Sequence, residues 1–271
     1  MSSPAERSEP ATQEAAAIVK RERDARGVVT LTLNRPQAFN AMSEALLASL
    51  QCELDALETD RSARVLVLAG AGKAFCAGHD LREMRAKPSL EYYQRLFSQC
   101  SQVMLTLRRL PIPVIARVHG IATAAGCQLV AQCDLAVAAS DARFAVSGVN
   151  LGLFCSTPGV PLSRNVPLKQ AFEMLVTGDF IEAEEARERG LVNRVVAPEV
   201  LDAEVEKLVT AILRKPRVAI ALGKELFYRQ AELPMAAAYE AASRTIAGNM
   251  MEPVALEGVQ AFIDKRAPKW E

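Results

Sequence analysis

An α/β core followed by an all-helical C-terminal segment is the fold class that the sequence predicts, on three observations. Short β-branched or apolar runs alternate with longer stretches of helical spacing up to about residue 200. Strand signals then stop. Beyond that point only helical periodicity remains.

The first 16 residues are rich in Ser, Pro, Ala and Glu and lack any period, so they are expected to form a loose tail. The core is expected over 17–200 and the helical segment over 201–271. Val28-Val29-Thr30-Leu31-Thr32-Leu33 alternates as a strand and ends at Asn34-Arg35-Pro36, because proline cannot continue a ladder. A strand near Ala16–Glu22, turning through Arg26-Gly27, would pair with it as a hairpin. Met42, Leu46, Leu50, Leu54 and Leu57 repeat every three or four residues and predict one apolar helical face. A strand at Val65–Ala69, a helix around Leu90–Arg108 and a strand at Val114–Val118 follow. Small residues open a helix near Ala125, and Leu135–Ala139 reads as the next strand. Thr157-Pro158 predicts a helix start with Thr as its N-cap. Lys169–Thr177 predicts a helix closed by Gly178. Leu201, Val205, Leu208, Val209 and Ile212 make a further stripe, and three more helices are expected near 216–230, 234–249 and 253–265.

The chain has 271 residues, of which half are apolar and 24% charged, which fits a packed protein and excludes disorder for the bulk. Thirty-two basic residues balance 32 acidic ones with no large basic block, so nucleic acid is not expected as a partner. No apolar run reaches the ~18 residues of a membrane-spanning helix. The first residues carry Glu6, Glu9 and Glu14 and no apolar leader, from which a cytoplasmic location is expected. The six cysteines form no Cys-x-x-Cys pair and have two histidines beside them, so no metal site is expected and buried reduced thiols are.

Gly70-Ala71-Gly72-Lys73 follows a strand but lacks the spacing of a phosphate-cradling loop. A P-loop would need glycine at Val67 and Ser or Thr at Ala74, and a dinucleotide fingerprint would need glycine at Phe75. Gly72 to Leu81 is more informative, since small residues directly after a strand let a ligand approach the backbone. Within it Asp80 and Glu83 have capping-box spacing, for which helix capping is the bland reading. Pro113 to Gly126 runs a buried strand through small residues into a helix start, where free N–H groups would face a ligand. Two such loops could supply a two-donor oxyanion hole, although small residues also serve close helix packing.

Four collinear motifs then resemble the crotonase (enoyl-CoA hydratase/isomerase) superfamily. They are Asn34-Arg35-Pro36 with Asn40-Ala41, Phe75-Cys76-Ala77-Gly78-His79-Asp80-Leu81, Pro113-Val114-Ile115-Ala116 through Gly126-Cys127, and Glu257 to Arg266. The resemblance runs from about residue 17 to the C-terminus. It implies a spiral of ββα repeats with a helical C-terminal segment used in homotrimers, often paired into hexamers. It also implies an acyl-CoA thioester as substrate, the setting of fatty acid metabolism, and no separate cofactor, since coenzyme A enters with the substrate. Carried over by position, the oxyanion donors would be the backbone N–H groups of His79 and Ala125. Backbone near Ala77 would meet the adenine, and Phe262 and Lys265 would help bind the nucleotide.

The resemblance fails at the two acids. Hydratases of this family hold water between two glutamates, one the base and one the acid. Here Gln128 stands in place of the first and Gly148 in place of the second, and neither exchanges a proton near neutrality. Ala77-Gly78-His79-Asp80 and Val149-Asn150-Leu151-Gly152 look like the methylmalonyl-CoA decarboxylase branch, whose active-site tyrosine would fall near Cys155. Ser147 to Gly159 looks closer to a hydratase-domain-containing branch. The sequence therefore predicts an acyl-CoA lyase or isomerase with doubtful hydratase activity, against a decarboxylase or a noncatalytic acyl-CoA binder. His79 has the intrinsic pKa for acid–base work, although a structural imidazole is the simpler reading. His119 is expected to be a hydrogen-bonded structural residue. Cys155 would be a nucleophile only beside an activating base, and is otherwise a packed thiol, as Cys127 and Cys133 are.

Overall fold

The computed structural model describes residues 17–86 and 88–270. The expected loose tail, 1–16, lies outside the described residues.

The first hairpin pairs β1 (Val19–Arg23) with β2 (Val28–Leu33) antiparallel, in a register that sets Val19 against Leu33 and Arg23 against Val29. The first strand thus runs through Arg23 instead of ending at Glu22. α1 (Glu44–Thr59) buries Leu46, Leu47, Leu50, Leu54 and Leu57, and Ser43 caps it by accepting the Leu46 N–H. β3 (Val65–Gly70), α2 (Leu81–Ala86), α3 (Leu90–Arg109) and β4 (Val114–Val118) follow. The chain continues through β5 (Ile121–Thr123), α4 (Ala125–Gln132), β6 (Leu135–Ala139) and β7 (Arg143–Ala145). Next come α5 (Ser156–Asn165), α6 (Leu168–Thr177), β8 (Ile181–Glu182), α7 (Ala183–Glu188) and β9 (Arg194–Val196). Four helices close it: α8 (Leu201–Leu213), α9 (Arg217–Gln230), α10 (Met235–Met250) and α11 (Pro253–Ile263).

Two sheets result. One is ordered β1-β2-β3-β4-β6-β9 and the other β5-β7-β8, parallel throughout except for β1/β2 and β7/β8. β4 feeds the larger sheet, and β5, two residues later, starts the smaller one before the chain turns into α4. β6, β7 and α5 repeat the step. One turn earlier, after β3, Cys76 makes a parallel bridge to Ala122, a one-residue version of the same second strand. This succession is the ββα spiral. Its main core lies between the larger sheet and α1 and α3, and a smaller cluster around Val65, Val67, Ile115 and Val137 is covered on the opposite face by Leu201, Val205 and Val209 of α8.

Two local expectations need correction. The helix predicted to start with Thr157 as its N-cap starts two residues earlier, with Cys155 in the cap position and no side-chain cap. Pro158 is tolerated in that first turn because N–H groups there have no intrahelical acceptor. Asp80 and Glu83 form half a capping box. Asp80 Oδ1 accepts the N–H groups of Arg82 and Glu83, but the Glu83 carboxylate accepts from the N–H of Glu44 and so caps α1.

A buried cation fastens α9 to the core. Lys224 Nζ on α9 donates to Asp134 Oδ2 at 2.6 Å and to the carbonyls of Leu107 and Ile112, both at 3.0 Å. Asp134 also accepts from the Tyr228 hydroxyl at 2.7 Å and the Val114 N–H at 2.7 Å. Burial pulls the Lys224 ammonium below its usual pKa, and Asp134 opposes that shift. Truncating one member of a buried pair strands the other, which costs roughly 3–5 kcal/mol. Lys224→Met should lose about that much in urea unfolding, and a loss below about 1 kcal/mol would place the pair in the weak surface class.

Candidate active site

The site is built where three loops meet. Phe75 N–H donates to the His119 carbonyl at 3.1 Å, Cys76 N–H to Ile121 at 3.1 Å, and Thr123 N–H returns to Cys76 at 3.0 Å. The loop after β3 is thereby zipped to the run from β4 into β5. Gly126 lets the start of α4 close onto it, because a Cβ there would lie 2.0 Å from the Cys76 carbonyl oxygen, well inside van der Waals contact.

A second bridge orients His79. Met42 N–H donates to the Gly78 carbonyl at 2.7 Å and Asp80 N–H to the Met42 carbonyl at 3.2 Å. In a parallel bridge that uses these flanking groups, the N–H of the central residue points away from its partner strand. The His79 N–H therefore faces away from Met42, and it has no acceptor among the described residues. Gly78 makes the turn with φ +92°, and a Cβ there would lie 3.4 Å from the Ala125 nitrogen and 3.0 Å from the Ala124 methyl. Ala125 is the first residue of α4, so its N–H has no intrahelical acceptor. Ala124, before it, is held at φ 51°, ψ −117°, an unfavourable conformation for a residue with a Cβ. The Ala124 N–H donates to Ala145 at 2.9 Å, and the neighbouring Thr123 and Ser147 hydroxyls share a hydrogen bond of 2.9 Å. The loop carrying Gly148 is tied in by these contacts.

Two free N–H groups on adjoining loops are thus brought together, and Ala77 sits two residues from the first. Gln128 lies one helical turn beyond Ala124, almost fully buried, with an amide oxygen that has no partner among the described residues. Gly148 and Cys155 meet directly: the Gly148 N–H donates to the Cys155 sulfur at 3.2 Å. A Cβ on Gly148 would lie 2.6 Å from the Leu153 carbonyl oxygen and 2.7 Å from that sulfur, so the position has no room for a carboxylate side chain. Phe262 and Lys265 lie on and just past α11, which packs on α10, and the hydrogen bonds joining the loops do not extend to them. A groove of about 700 Å³ between the end of α3 and α9 is lined by none of these residues, and Phe262 lines a separate one with Ala219, Val259 and Trp270.

The thiols at the site do not replace the two acids. Burial pushes the Cys155 thiol up, with the Gly148 N–H opposing, and pushes Cys76 and Cys127 up to about 12, so all three stay protonated thiols near neutrality. His119 is fixed by its Nε2 against the Gly72 carbonyl at 2.9 Å and stands beside Arg117. His79 is different. Its ring meets Phe97 edge-on with centroids 5.3 Å apart, and both ring nitrogens are buried without a hydrogen-bond partner among the described residues. Asn40 enters the sequence reading only as part of a motif, with no role given to it. It is fully buried at φ 55°, and its side-chain nitrogen donates to the carbonyls of Ala71, Ala74 and Phe75 at 2.8, 2.8 and 3.2 Å. Its place between Pro36 and a helix start was the available signal.

Burial holds the His79 imidazole below its ordinary pKa of 6.5. The folded chain therefore takes up this proton at a lower pH than the unfolded chain does. The stability of the neutral form is complete above the unfolded value and is lost as pH falls through it toward the folded one. Melting temperatures taken from about pH 7 down to about pH 5 should fall less steeply in His79→Phe than in wild type. Parallel slopes would mean that the imidazole is solvated.

Residues 23–271 match the family model described as enoyl-CoA hydratase/isomerase. The Xenopus laevis protein named enoyl-CoA hydratase domain-containing protein 3, mitochondrial, is 43% identical over 90% of this chain and 83% of its own length. Among solved structures, an enoyl-CoA hydratase of Mycobacterium smegmatis is 66% identical with TM-score 0.93, covering 94% of this chain and 99% of that one. Human enoyl-CoA hydratase domain-containing protein 3 is 40% identical with TM-score 0.90, covering 94% and 100%. The expected cytoplasmic location is corrected by these relatives: the vertebrate proteins carry mitochondrial names, and the lack of an apolar leader on which the expectation rested does not fix a compartment. Matched over nearly its whole described length in sequence and fold, the chain belongs to the enoyl-CoA hydratase/isomerase family.

Proposed function

We propose that this chain polarises the thioester carbonyl of an acyl-CoA with the His79 and Ala125 N–H groups and stabilises the enolate that follows, without the acid pair that activates water. The observation that carries this reading is the pairing of two free backbone donors on loops locked at backbone contact. Donors fixed in advance lose no reorganisation energy when charge develops on the oxygen, and they are worth most where water is excluded. Gln128 can hold a hydrogen-bonding group but cannot take or give a proton. Gly148 brings only its backbone, and the space above it belongs to Cys155.

Coenzyme A would enter past Ala77, with Phe262 and Lys265 as its nucleotide contacts. Assembly into homotrimers, alone or paired as hexamers, fits the exposed Phe227, Met235, Tyr239 and Met251 of the C-terminal helices. Loss of carbon dioxide from a malonyl-type thioester is a second reading, favoured by the neutral buried groups at the site. That reaction forms the enolate without a base, and uncharged surroundings disfavour the starting carboxylate.

General acid and base groups each contribute about 10²- to 10⁴-fold. Hydration of crotonyl-CoA, followed by loss of the enoyl absorbance, should therefore run at least about 10⁴-fold below that of a relative with both glutamates. Gln128→Glu should raise it, whereas Gly148→Glu should fail to fold normally. Brisk hydration by the wild type would overturn the reading. Release of carbon dioxide from a malonyl-type thioester would select the second.

A further inference from the structure

We infer that Arg35 and Asp80 form a positioning pair that fixes the direction of the His79 N–H. The Met42/His79 bridge has two hydrogen bonds and stands outside both sheets, so ladder cooperativity does not hold it. The Arg35 guanidinium spans it from one side. Nη1 donates to the Ala41 carbonyl at 2.6 Å, immediately before Met42, and Nη2 to Asp80 Oδ2 at 3.0 Å, immediately after His79. The two strands of the bridge are thus clamped one residue away from the donor.

Each end of the clamp is itself fixed. The Arg35 backbone N–H donates to Asn40 Oδ1 at 2.9 Å, and its carbonyl accepts from Asn40 at 3.0 Å, so the turn carrying the guanidinium is closed on a buried residue. Asp80 uses its second oxygen, Oδ1, on the first N–H groups of α2 and its own N–H on Met42. Both side chains are largely shielded, at 21% and 16% exposure, so the attraction is less screened than at an open surface. A planar guanidinium meets a carbonyl and a carboxylate together in fixed geometry, which a lysine ammonium does not. Misdirecting a preorganised donor weakens its effect on developing charge far more than on ground-state binding.

The inference rests on the oxyanion reading, so the experiment separates the two. Butyryl-CoA labelled with ¹³C at the thioester carbonyl is bound to the intact protein, and the carbonyl resonance reports polarisation without turnover. In wild type the bound resonance should move downfield of the free one. In Arg35→Gln most of that displacement should vanish while the dissociation constant stays within about threefold, and Arg35→Lys should recover part of it. Lys224→Met, which destabilises at a distance, should keep the full displacement. If Arg35→Gln does not fold, Asp80→Asn replaces it, since asparagine still caps α2 but carries no charge. No displacement in wild type would overturn the oxyanion reading. A full displacement in wild type that persists in Arg35→Gln or Asp80→Asn would overturn the positioning role alone.

Discussion

The structure turns on the close approach of two backbones, the loop through Cys76 to His79 and the entry to α4. Everything specific to the site follows from that contact. Cys76 donates to Ile121 and accepts from Thr123 across it, Gly126 gives up its side chain for it, and Ala124 is held at positive φ by it. Free N–H groups on separate loops ordinarily point in unrelated directions. Here the bridge to Met42 uses the Gly78 carbonyl and the Asp80 N–H on either side of His79, and the helix leaves the N–H at Ala125, so two donors remain that no partner among the described residues satisfies. Such strain is stable only where the surroundings over-determine it, which is the role of the buried Asn40 amide and the Thr123–Ser147 contact.

The alternating architecture was legible in the sequence because its signals are local. β2, β4 and β6 are short apolar runs, and α1 carries its leucine stripe within one window. The smaller sheet was not legible, because strands of two or three residues are defined by partners and not by composition. The same limit explains the helix cap misplaced at Thr157 and the capping box divided between two helices. Glu83 has the spacing to cap its own helix, but only the folded chain shows that the Glu44 N–H needs it more.

The site was legible as motifs and illegible as geometry. His79 and Ala125 were identified through a family resemblance, and the spacing of small residues alone favoured close helix packing over an oxyanion hole. Gly148 shows the difference most clearly. In sequence it is a missing acid, while in three dimensions it is a place where Leu153 and Cys155 leave no volume for one. The loss is therefore built into the loop and is not a single exchange that one mutation would reverse. Asn40, Arg35 and Asp80 were visible only as parts of motifs, because the Ala71 carbonyl that Asn40 meets and the Arg35–Asp80 pairing lie across 31 and 45 residues of chain.

The most direct test of the account is a crystal structure with a saturated acyl-CoA bound. The account predicts the thioester oxygen within about 2.7–3.1 Å of both the His79 and the Ala125 nitrogens. A thioester oxygen that meets neither nitrogen, or that is held by side chains elsewhere, would contradict it.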